Sequence, residues 1–318
     1  MNTLKFKEPT MVPVLMSCYS TTVFESKTID EILETIKTGG WIANSRSLQE
    51  LTANARELAA LIPKGDKDNK EVKEAKKPYD EFKRKMVPTI MTHALFETGK
   101  GRKSTDPHSF QDIQYLMFDF DHVENIEQRL ADIHENPLKY EIFHAVWTSL
   151  SGTGLHALVA IRGLTDENIE YCYKTIGEII EYEYDLPFDT ICRDVTRMCI
   201  LSYDPNIFIN EQSEIFDATE MTNSQKIMGL IPYEEIEPEA KGSDNKGLAL
   251  YLDKMNIQMI EGKRHHKILR VASILNYAGF DREAVKIELK RFVEPNFEEK
   301  EINDIVDHIY NKWKEQHG

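Results

Sequence analysis

The stretch YLMFDFDHV, residues 115–123, decides how the chain around it folds. Its apolar run from Tyr115 to Phe118 is typical of a buried strand, and the run ends in Asp119 and Asp121, one residue apart. Side chains at positions i and i+2 of a strand point to the same face, roughly 6 to 7 Å apart along the backbone. The sequence therefore predicts two neighbouring negative charges at the end of a buried strand.

A cation between Asp119 and Asp121 would explain this pair, because two carboxylates so close repel and one otherwise takes up a proton. Hard divalent ions prefer oxygen ligands, and two of them about 3.5 to 4 Å apart hold the attacking and leaving oxygens of a phosphoryl transfer. The pair thus predicts a two-metal site for Mg²⁺ or Mn²⁺. Ligand sites of α/β proteins gather at strand ends, which favours this interpretation. The alternative is that the aspartates cap the next turn or helix.

A glycine-containing turn follows in HAVWTSLSGTGLHALVAI, residues 144–161, which predicts two strands joined by a loop. Gly152 and Gly154 let backbone amides approach an anion closely. Ser151 and His156 can add hydrogen bonds to phosphate oxygens. The alternative is that the glycines serve only the turn and that the histidine is structural. The phosphate-binding motif GxxxxGK[ST] does not occur in this sequence.

A further acidic position lies in PFDTICRDVTRMCILSYDPN, residues 187–206. Asp189 follows a Pro-Phe turn, where a carboxylate can face a cleft, and Asp194 competes with it as a third carboxylate. Arg193 and Arg197 follow closely, and arginine can bind phosphate through two parallel hydrogen bonds. The alternative is an ordinary Asp-Arg ion pair in a loop.

The hydrophobic pattern predicts a mixed α/β domain over residues 1–220, an acidic linker rich in Pro and Gly over 221–247, and a helical domain over 248–318. Asp281 is the expected N-cap of one helix of the last domain. The other predicted elements are a strand at 12–24, helices at 27–40 and 47–62, a loop running into a helix over 64–85, a helix at 125–136, a helix at 166–182 and a helix at 298–313.

The charge balance excludes a protein that coats nucleic acid through bulk charge, since 39 basic and 54 acidic residues leave a net charge of -15. Contact with nucleic acid must then be local, and residues 64–103 carry twelve Lys or Arg against seven Asp or Glu. The alternative for that stretch is a solvated linker. The four cysteines form no CxxC pair, so neither a disulfide framework nor a zinc ribbon is expected. Without a long apolar stretch or a signal-like start, the chain is expected to be cytoplasmic and not to contact membranes.

Taken together, these motifs resemble the archaeo-eukaryotic primase superfamily. The likeness is to the primase-polymerase-like catalytic domains of mobile elements and phages, and to the related VirE N-terminal-type domains. It spans roughly residues 60–215 and depends on the order of YLMFDFDHV, SGTGLHALV and DVTRMCILSYDPN. The tail resembles the helical C-terminal domain of such primases. The resemblance implies an α+β catalytic domain with an RRM-like sheet and flanking helices, followed by a small all-α domain.

The resemblance also implies roles for individual residues. Asp119, Asp121 and Asp189 would bind the catalytic metals, and His156 completes the catalytic set. His156 would contact the nucleotide phosphates with the help of Ser151 and the Gly152 to Gly154 turn. Arg197 is expected near the nucleotide. In the tail, Lys263, Arg264 and His265 are candidate nucleic-acid contacts, the alternative being a solvated helix start.

The function implied is that of a DNA primase or primase-polymerase, a template-directed nucleotidyltransferase. Its partners would be a single-stranded DNA template, nucleoside triphosphates and a separate helicase. One alternative is a replication accessory module that binds nucleic acid or nucleotide without catalysis. Another is a phosphatase of the haloacid dehalogenase type, whose DxDGT motif has Gly-Thr where this chain has His122 and Val123.

Overall fold

The structure is a computed structural model that divides the chain into two compact units, Met1–Ala218 and Thr219–Gly318. The residues it describes are 9–43, 46–63, 65, 69–219, 221, 248–249, 252, 268–269, 271–272, 275–276, 280–293 and 297–317. All of the predicted linker except residue 221 lies outside the described residues.

The first unit is a mixed α/β structure, which confirms the predicted fold class at this level. Its strands are β1 (Met11–Leu15), β2 (Glu25–Thr28), β3 (Thr89–Ile90), β4 (Leu95–Phe96), β5 (His108–Ser109), β6 (Ile113–Phe120), β7 (Ala145–Thr148), β8 (Leu155–Arg162), β9 (Cys199–Ile200), β10 (Phe208–Ile209) and β11 (Ile215–Asp217). Its helices are α1 (Ile29–Thr38), α2 (Leu48–Ala60), α3 (Lys70–Met86), α4 (Ile126–Glu135) and α5 (Ile169–Tyr184).

The central strand of a five-stranded sheet is β8. On one side it pairs antiparallel with the whole of β6, from Ile113 opposite Arg162 to Phe120 opposite Leu155. On its other side it pairs antiparallel with β7 and then parallel with β11, and β10 extends the sheet beyond β7. Because the β6 to β8 register is continuous, Asp119 lies directly opposite His156. The buried strand predicted from 115 to 118 and the two strands around the glycine turn are confirmed.

A second sheet contains β2, β1, β3 and β9 in that order. The strand predicted over 12–24 is wrong beyond Leu15, because residues 16–24 form a loop between β1 and β2. Two serines fold the backbone of this loop onto itself. The Ser17 amide donates to the Ser20 hydroxyl and the Ser20 amide donates to the Ser17 carbonyl, both at 3.1 Å. Serine competes in this way with strand pairing.

Local signals place the helices of the first unit as predicted. In α1 the Thr28 hydroxyl accepts from the Glu31 amide while the Glu31 carboxylate accepts from the Thr28 amide, and the helix ends at Gly39 with φ of 70°. This reciprocal pair of hydrogen bonds is a capping box. At α2 the Ser47 hydroxyl accepts from the Glu50 amide. Within the predicted loop and helix of residues 64–85, α3 begins at Lys70 with Asn69 as its N-cap.

In the second unit the described helices are α6 (Arg282–Leu289) and α7 (Glu299–His317), with a 3-10 turn at Lys290–Phe292. The predicted N-cap is confirmed, since the Asp281 carboxylate accepts from the amides of Glu283 and Ala284 at 3.0 Å. The Tyr310 hydroxyl donates to the Phe280 carbonyl at 2.9 Å and joins the two helices. Across the described parts of both units, every helix is too short or too polar to cross a membrane.

Candidate functional site

Asp119 and His156 form an ion pair at the polar end of the β6 to β8 ladder. The Asp119 Oδ1 atom lies 3.4 Å from His156 Nε2, and the Asp119 side chain is 25% exposed while that of His156 is 8% exposed. The sheet is antiparallel here, so the rule that ligands bind at the carboxyl ends of parallel strands does not explain the position. Instead, the end of β6 meets the start of β8 and the glycine turn before it.

The protein supplies positive charge to this carboxylate. Burial raises the pKa of Asp119, but His156, Arg197 and Lys83 together lower it below its ordinary value. Burial lowers the pKa of His156, but the Cys199 sulfur and the Asp119 carboxylate outweigh burial and hold the pKa well above its usual range. Both directions favour an ionised carboxylate beside an imidazolium. Side chains therefore provide at least part of the cation that the sequence analysis expected.

Cys199 holds the other side of the imidazole ring. Its Sγ atom, on β9, lies 3.4 Å from His156 Nδ1. A Cys-His-Asp series resembles the arrangement of a nucleophilic enzyme, but Cys199 is 2% exposed and substrate does not reach a sulfur so deeply buried. Cys199 therefore orients His156.

Asp189 is joined to Asp119 through the backbone, since the Asp189 amide donates to the Asp119 carbonyl at 3.2 Å. Its own carboxylate accepts from the Ile191 amide at 2.9 Å and from the Cys192 thiol at 3.3 Å. An Arg197 Nη2 atom lies 3.5 Å from the same carboxylate. This side chain thus lies near the end of β6 with much of its hydrogen-bonding capacity directed toward its own loop and Arg197.

Three aromatic side chains pack together beside the Asp189 loop. The Tyr173 hydroxyl, on α5, donates to the Asp189 carbonyl at 3.0 Å, and the Tyr173 ring stacks on Phe118 of β6 at 4.5 Å between centroids. Phe188 packs against both rings. A Cβ atom at Gly177 would lie 2.3 Å from the Phe188 ring, so the helix must have glycine there for the ring to fit.

The turn from Ser151 to Gly154 packs tightly against the end of β6. Gly152 has φ of 76°, which favours glycine, and a Cβ at Gly154 would lie 2.5 Å from the Phe120 carbonyl oxygen. The Val123 amide donates to the Thr153 carbonyl at 3.1 Å. The segment around the two aspartates is therefore packed directly against the glycine turn.

Three side chains near this turn were not identified from the sequence. Tyr79 of α3 is buried and hydrogen-bonds Ser151. Burial raises the pKa of the Tyr79 hydroxyl to about 12, and the negative charges of Asp80, Asp121 and Asp119 act in the same direction. The Lys83 Nζ atom lies 5.2 Å from the Tyr79 ring centroid. The Arg56 Nε atom of α2 is buried without a hydrogen-bond partner in the described part of the chain, and a Cβ at Gly152 would lie 3.5 Å from it. The spacing of Tyr79 and Lys83 on a highly charged helix was the available signal.

Asp121 lies just beyond β6 in an exposed turn, and its charge reaches Tyr79 as that of Asp119 does. Beside the turn is a cleft of about 530 Å³. Its lining residues are His122, Val123, Asn125, Ile126, Glu127, Gln128, Gly152 and Thr153. The cleft thus adjoins both the acidic turn and the glycine turn.

The structure gathers most of the predicted site residues at one end of the sheet: Asp119, His156, Asp189, Arg197, Ser151, Gly152 and Gly154. Among the described residues, no group of three or more His, Cys, Asp or Glu side chains is arranged to hold a metal ion. The carboxylate oxygens of Asp119 and Asp121 are the donors that Mg²⁺ or Mn²⁺ prefers, so the donor set fits, and the metal site stays a prediction. Lys263, Arg264 and His265 lie outside the described residues.

Comparison with known proteins gives two similarities. Residues 81–208, less than half of the chain, match the family model described as BT4734-like, N-terminal domain. Among solved structures, that of primase RepB' is similar at 12% sequence identity and a TM-score of 0.29, covering 94% of this chain and 88% of the other. The comparison with curated proteins finds no match. The segment matched by the family model includes Asp119, Asp121, His156 and Asp189.

Proposed function

We propose that the chain is a template-directed, metal-dependent nucleotidyltransferase, a primase or primase-polymerase with a primase-type catalytic domain. The observation that carries the proposal is the Asp119 Oδ1 atom 3.4 Å from His156 Nε2, next to a glycine turn that carries Ser151, and the directions of both pKa shifts favour the charged pair. This combination offers a carboxylate for a divalent ion and donors for phosphate at one end of a sheet. The motif order that resembles primases supports the same conclusion.

In this proposal the residues of the chain mainly bind and position. Asp119 and Asp121 would hold Mg²⁺ or Mn²⁺, with Asp189 as the third carboxylate, and a bound ion would neutralise charge on the reacting phosphate oxygens. The imidazolium of His156, the Ser151 hydroxyl and the turn amides would bind the triphosphate. A terminal hydroxyl of the primer bonds to the α-phosphorus, the bond to the β-phosphate breaks, and diphosphate leaves while the hydroxyl proton passes to solvent.

Arg197 and Arg56 border the same space, and each has a buried Nε atom without a hydrogen-bond partner in the described part of the chain. One guanidinium group can donate two parallel hydrogen bonds to phosphate oxygens, so both arginines are suited to bind a triphosphate. The cleft beside Asp121, at about 530 Å³, lies in the size range of small-ligand sites, roughly 300 to 1,000 Å³. We assign this cleft to the nucleotide or the primer end. The resemblance to primases is the one basis for proposing that the chain acts in a mobile-element or phage replication system and works with a separate helicase.

The test is incorporation of labelled nucleotides on a single-stranded DNA template with Mg²⁺ or Mn²⁺, with ribonucleotides and deoxyribonucleotides run in parallel. Asp119→Asn should lower the rate by more than about a hundredfold, because it removes a metal carboxylate and the partner of His156. Asp112→Asn is the matched control, since Asp112 is exposed and directly precedes the other end of β6. Its rate should equal that of the wild type.

Other outcomes of the assay select the alternatives. Single-stranded DNA binding without incorporation under either metal would favour a binding module. Release of phosphate from small phosphoesters without template would favour a phosphatase. Wild-type incorporation by folded Asp119→Asn protein would overturn the proposed role of this site.

A further inference from the structure

We infer that single-stranded DNA binds a surface beside the candidate site, formed by the loop of residues 16–24 and the C-terminal end of α3. The name Tyr19 surface is used here for Met16, Tyr19, Arg84, Met86 and Arg102. The inference depends on the proposed function only in that it treats the bound strand as the template.

The surface exposes large apolar side chains. Tyr19 is 57% exposed, Met16 is 47% exposed and Met86 is 44% exposed. Met16 and Tyr19 lie in the same loop, and Met86 is the last residue of α3. Exposed aromatic rings are the platforms on which proteins stack the bases of single strands.

The loop that carries Tyr19 is held in place by many hydrogen bonds. Arg102 donates from Nε to the Ser20 carbonyl at 2.6 Å and from Nη2 to the Cys18 carbonyl at 3.0 Å. Thr22 forms a bridge with Gly101, and the Val23 amide donates to the Lys100 carbonyl at 3.0 Å. A ring on a loop fixed in this way loses little conformational entropy when a base stacks on it.

The same surface is positively charged although the chain as a whole has a net charge of -15. Burial raises the pKa of the Cys18 thiol, and Lys83, Arg84 and Arg102 each lower it, so these three charges lie around the loop. Asp80 pairs with Lys83 at 3.5 Å and Glu81 pairs with Lys85. In the described part of the chain, neither Arg84 nor Arg102 has a carboxylate partner.

These observations favour a nucleic-acid strand as the occupant. Cations in the last turn of a helix stabilise that helix, but this does not account for an exposed ring on a neighbouring loop. Guanidinium groups without a carboxylate partner keep a net positive charge that attracts phosphates, and an exposed ring stacks on bases, which only a single strand offers freely. Lys83, the neighbour of Arg84 on α3, lowers the pKa of both Cys18 and Asp119, so α3 connects the Tyr19 surface to the candidate site. A template bound there would lead toward the acidic turn.

The test measures the anisotropy of a fluorescein-labelled single-stranded oligodeoxynucleotide titrated with the full chain. Tyr19→Ala removes the stacking ring and should raise Kd by about tenfold. Arg84→Glu should raise Kd by about tenfold. It should also reduce the slope of log Kd against log salt concentration by about 1, the value for one lost phosphate contact. Trp41→Ala and Lys37→Glu are the matched controls, since Trp41 is 70% exposed and Lys37 lies in the last turn of α1. Both should leave Kd unchanged.

The two proposals fail in different ways. If Tyr19→Ala and Arg84→Glu bind like the controls while the wild type incorporates nucleotides, the Tyr19 surface is wrong and the proposed function stands. If both variants lose binding and no protein incorporates nucleotides, the surface stands and the enzyme proposal fails. Tighter binding of a duplex or of single-stranded RNA, with the same loss in both variants, would overturn the assignment to single-stranded DNA.

Discussion

His93 and His156 both lie in the first unit with almost no exposed surface, at 0% and 6%, yet their surroundings favour opposite charge states. The Nδ1 atom of His93 lies 2.9 Å from the Asp194 carbonyl oxygen, and its Nε2 accepts from the Met117 amide at 3.0 Å. His156 instead faces the Asp119 carboxylate. Backbone groups surround one ring and an anion faces the other.

The difference shows that the hydrogen-bond partner, more than burial, decides the charge. Burial lowers the pKa of His93 to about 4 against weaker opposing effects from Asp194, whereas His156 has its pKa raised well above the usual value. Neutral His93 joins β6 to the loop at Asp194 and serves structure. His156 instead has the partly exposed Asp119 on one ring nitrogen and Cys199 on the other, and these neighbours favour its charged form. Three experiments test this contrast, and a fourth tests the support of the nearby glycine turn.

The largest effect should come from making the two environments alike. Asp119→Asn removes the anion from His156, so the pKa of His156 should fall toward that of His93, with Cys199 still raising it. In the proposed enzyme the same variant loses more than about a hundredfold in rate. Titration of the histidine ring signals by NMR measures the pKa. An unchanged His156 pKa would mean that Asp119 does not hold its charge.

His93→Leu should destabilise the fold strongly. It leaves the Met117 amide and the Asp194 carbonyl buried without partners, which costs about 4 kcal/mol in the free energy of unfolding. Urea unfolding measures the change. His134→Ala is the control, because His134 is exposed and contacts one carbonyl at 2.9 Å, so its loss costs less than about 1 kcal/mol. Equal costs for the two variants would contradict the structural role of His93.

The pH dependence of stability should separate the histidines by sign. The pKa of His93 is lowered from 6.5 to about 4, so its contribution is present above 6.5 and is lost as the pH falls toward 4. Between about pH 6.5 and 5 this amounts to about 2 kcal/mol. The pKa of His156 is raised, so its contribution is full below 6.5 and is lost as the pH rises through the folded value.

Urea unfolding of wild type and His93→Gln at several pH values tests this sign. The glutamine variant should lose less stability than the wild type on acidification, because glutamine has no proton to bind. A wild type and variant with parallel pH curves would show that His93 is not held neutral.

The smallest effect is expected from Tyr79→Phe. It removes one hydroxyl that hydrogen-bonds Ser151 and leaves the ring in place, so the free energy of unfolding should fall by about 0.5 to 1.5 kcal/mol. Thermal unfolding measures the change. Tyr140→Phe is not a suitable control, because the Tyr140 hydroxyl donates a hydrogen bond to Asp132. Val72→Ala on the same helix is the comparison variant, because Val72 is partly exposed and has no hydroxyl to lose. A loss far above this range would indicate that the hydroxyl supports more than the glycine turn.

Much of the fold could be predicted from the sequence because the pattern of apolar residues carries it. The run before Asp119 and the alternation around the Ser151 to Gly154 turn correctly predict β6, β7 and β8. Residues 16–24 could not be placed by composition, because Ser17 and Ser20 form a turn within an apolar stretch. Periodicity does not register such local hydrogen bonds.

The candidate site could be predicted only in part. Asp119 and His156 stand out in their motifs, but they are 37 positions apart in the chain. Their direct pairing depends on the register between β6 and β8. Cys199 and Tyr79 were missed because each reaches the site from a separate element. The charge state of His156 was equally hidden, since it depends on Asp119 and Cys199 as spatial neighbours.

Gly177 has a practical consequence for anyone who engineers this chain for thermal stability. Replacing glycine by alanine inside a helix commonly stabilises a protein by about 0.4 to 1 kcal/mol. Here the added methyl would collide with the Phe188 ring, next to Asp189 in the chain. A routine helix-strengthening substitution would therefore displace the Asp189 loop, and design rules that score helix propensity alone would choose the wrong residue at this position.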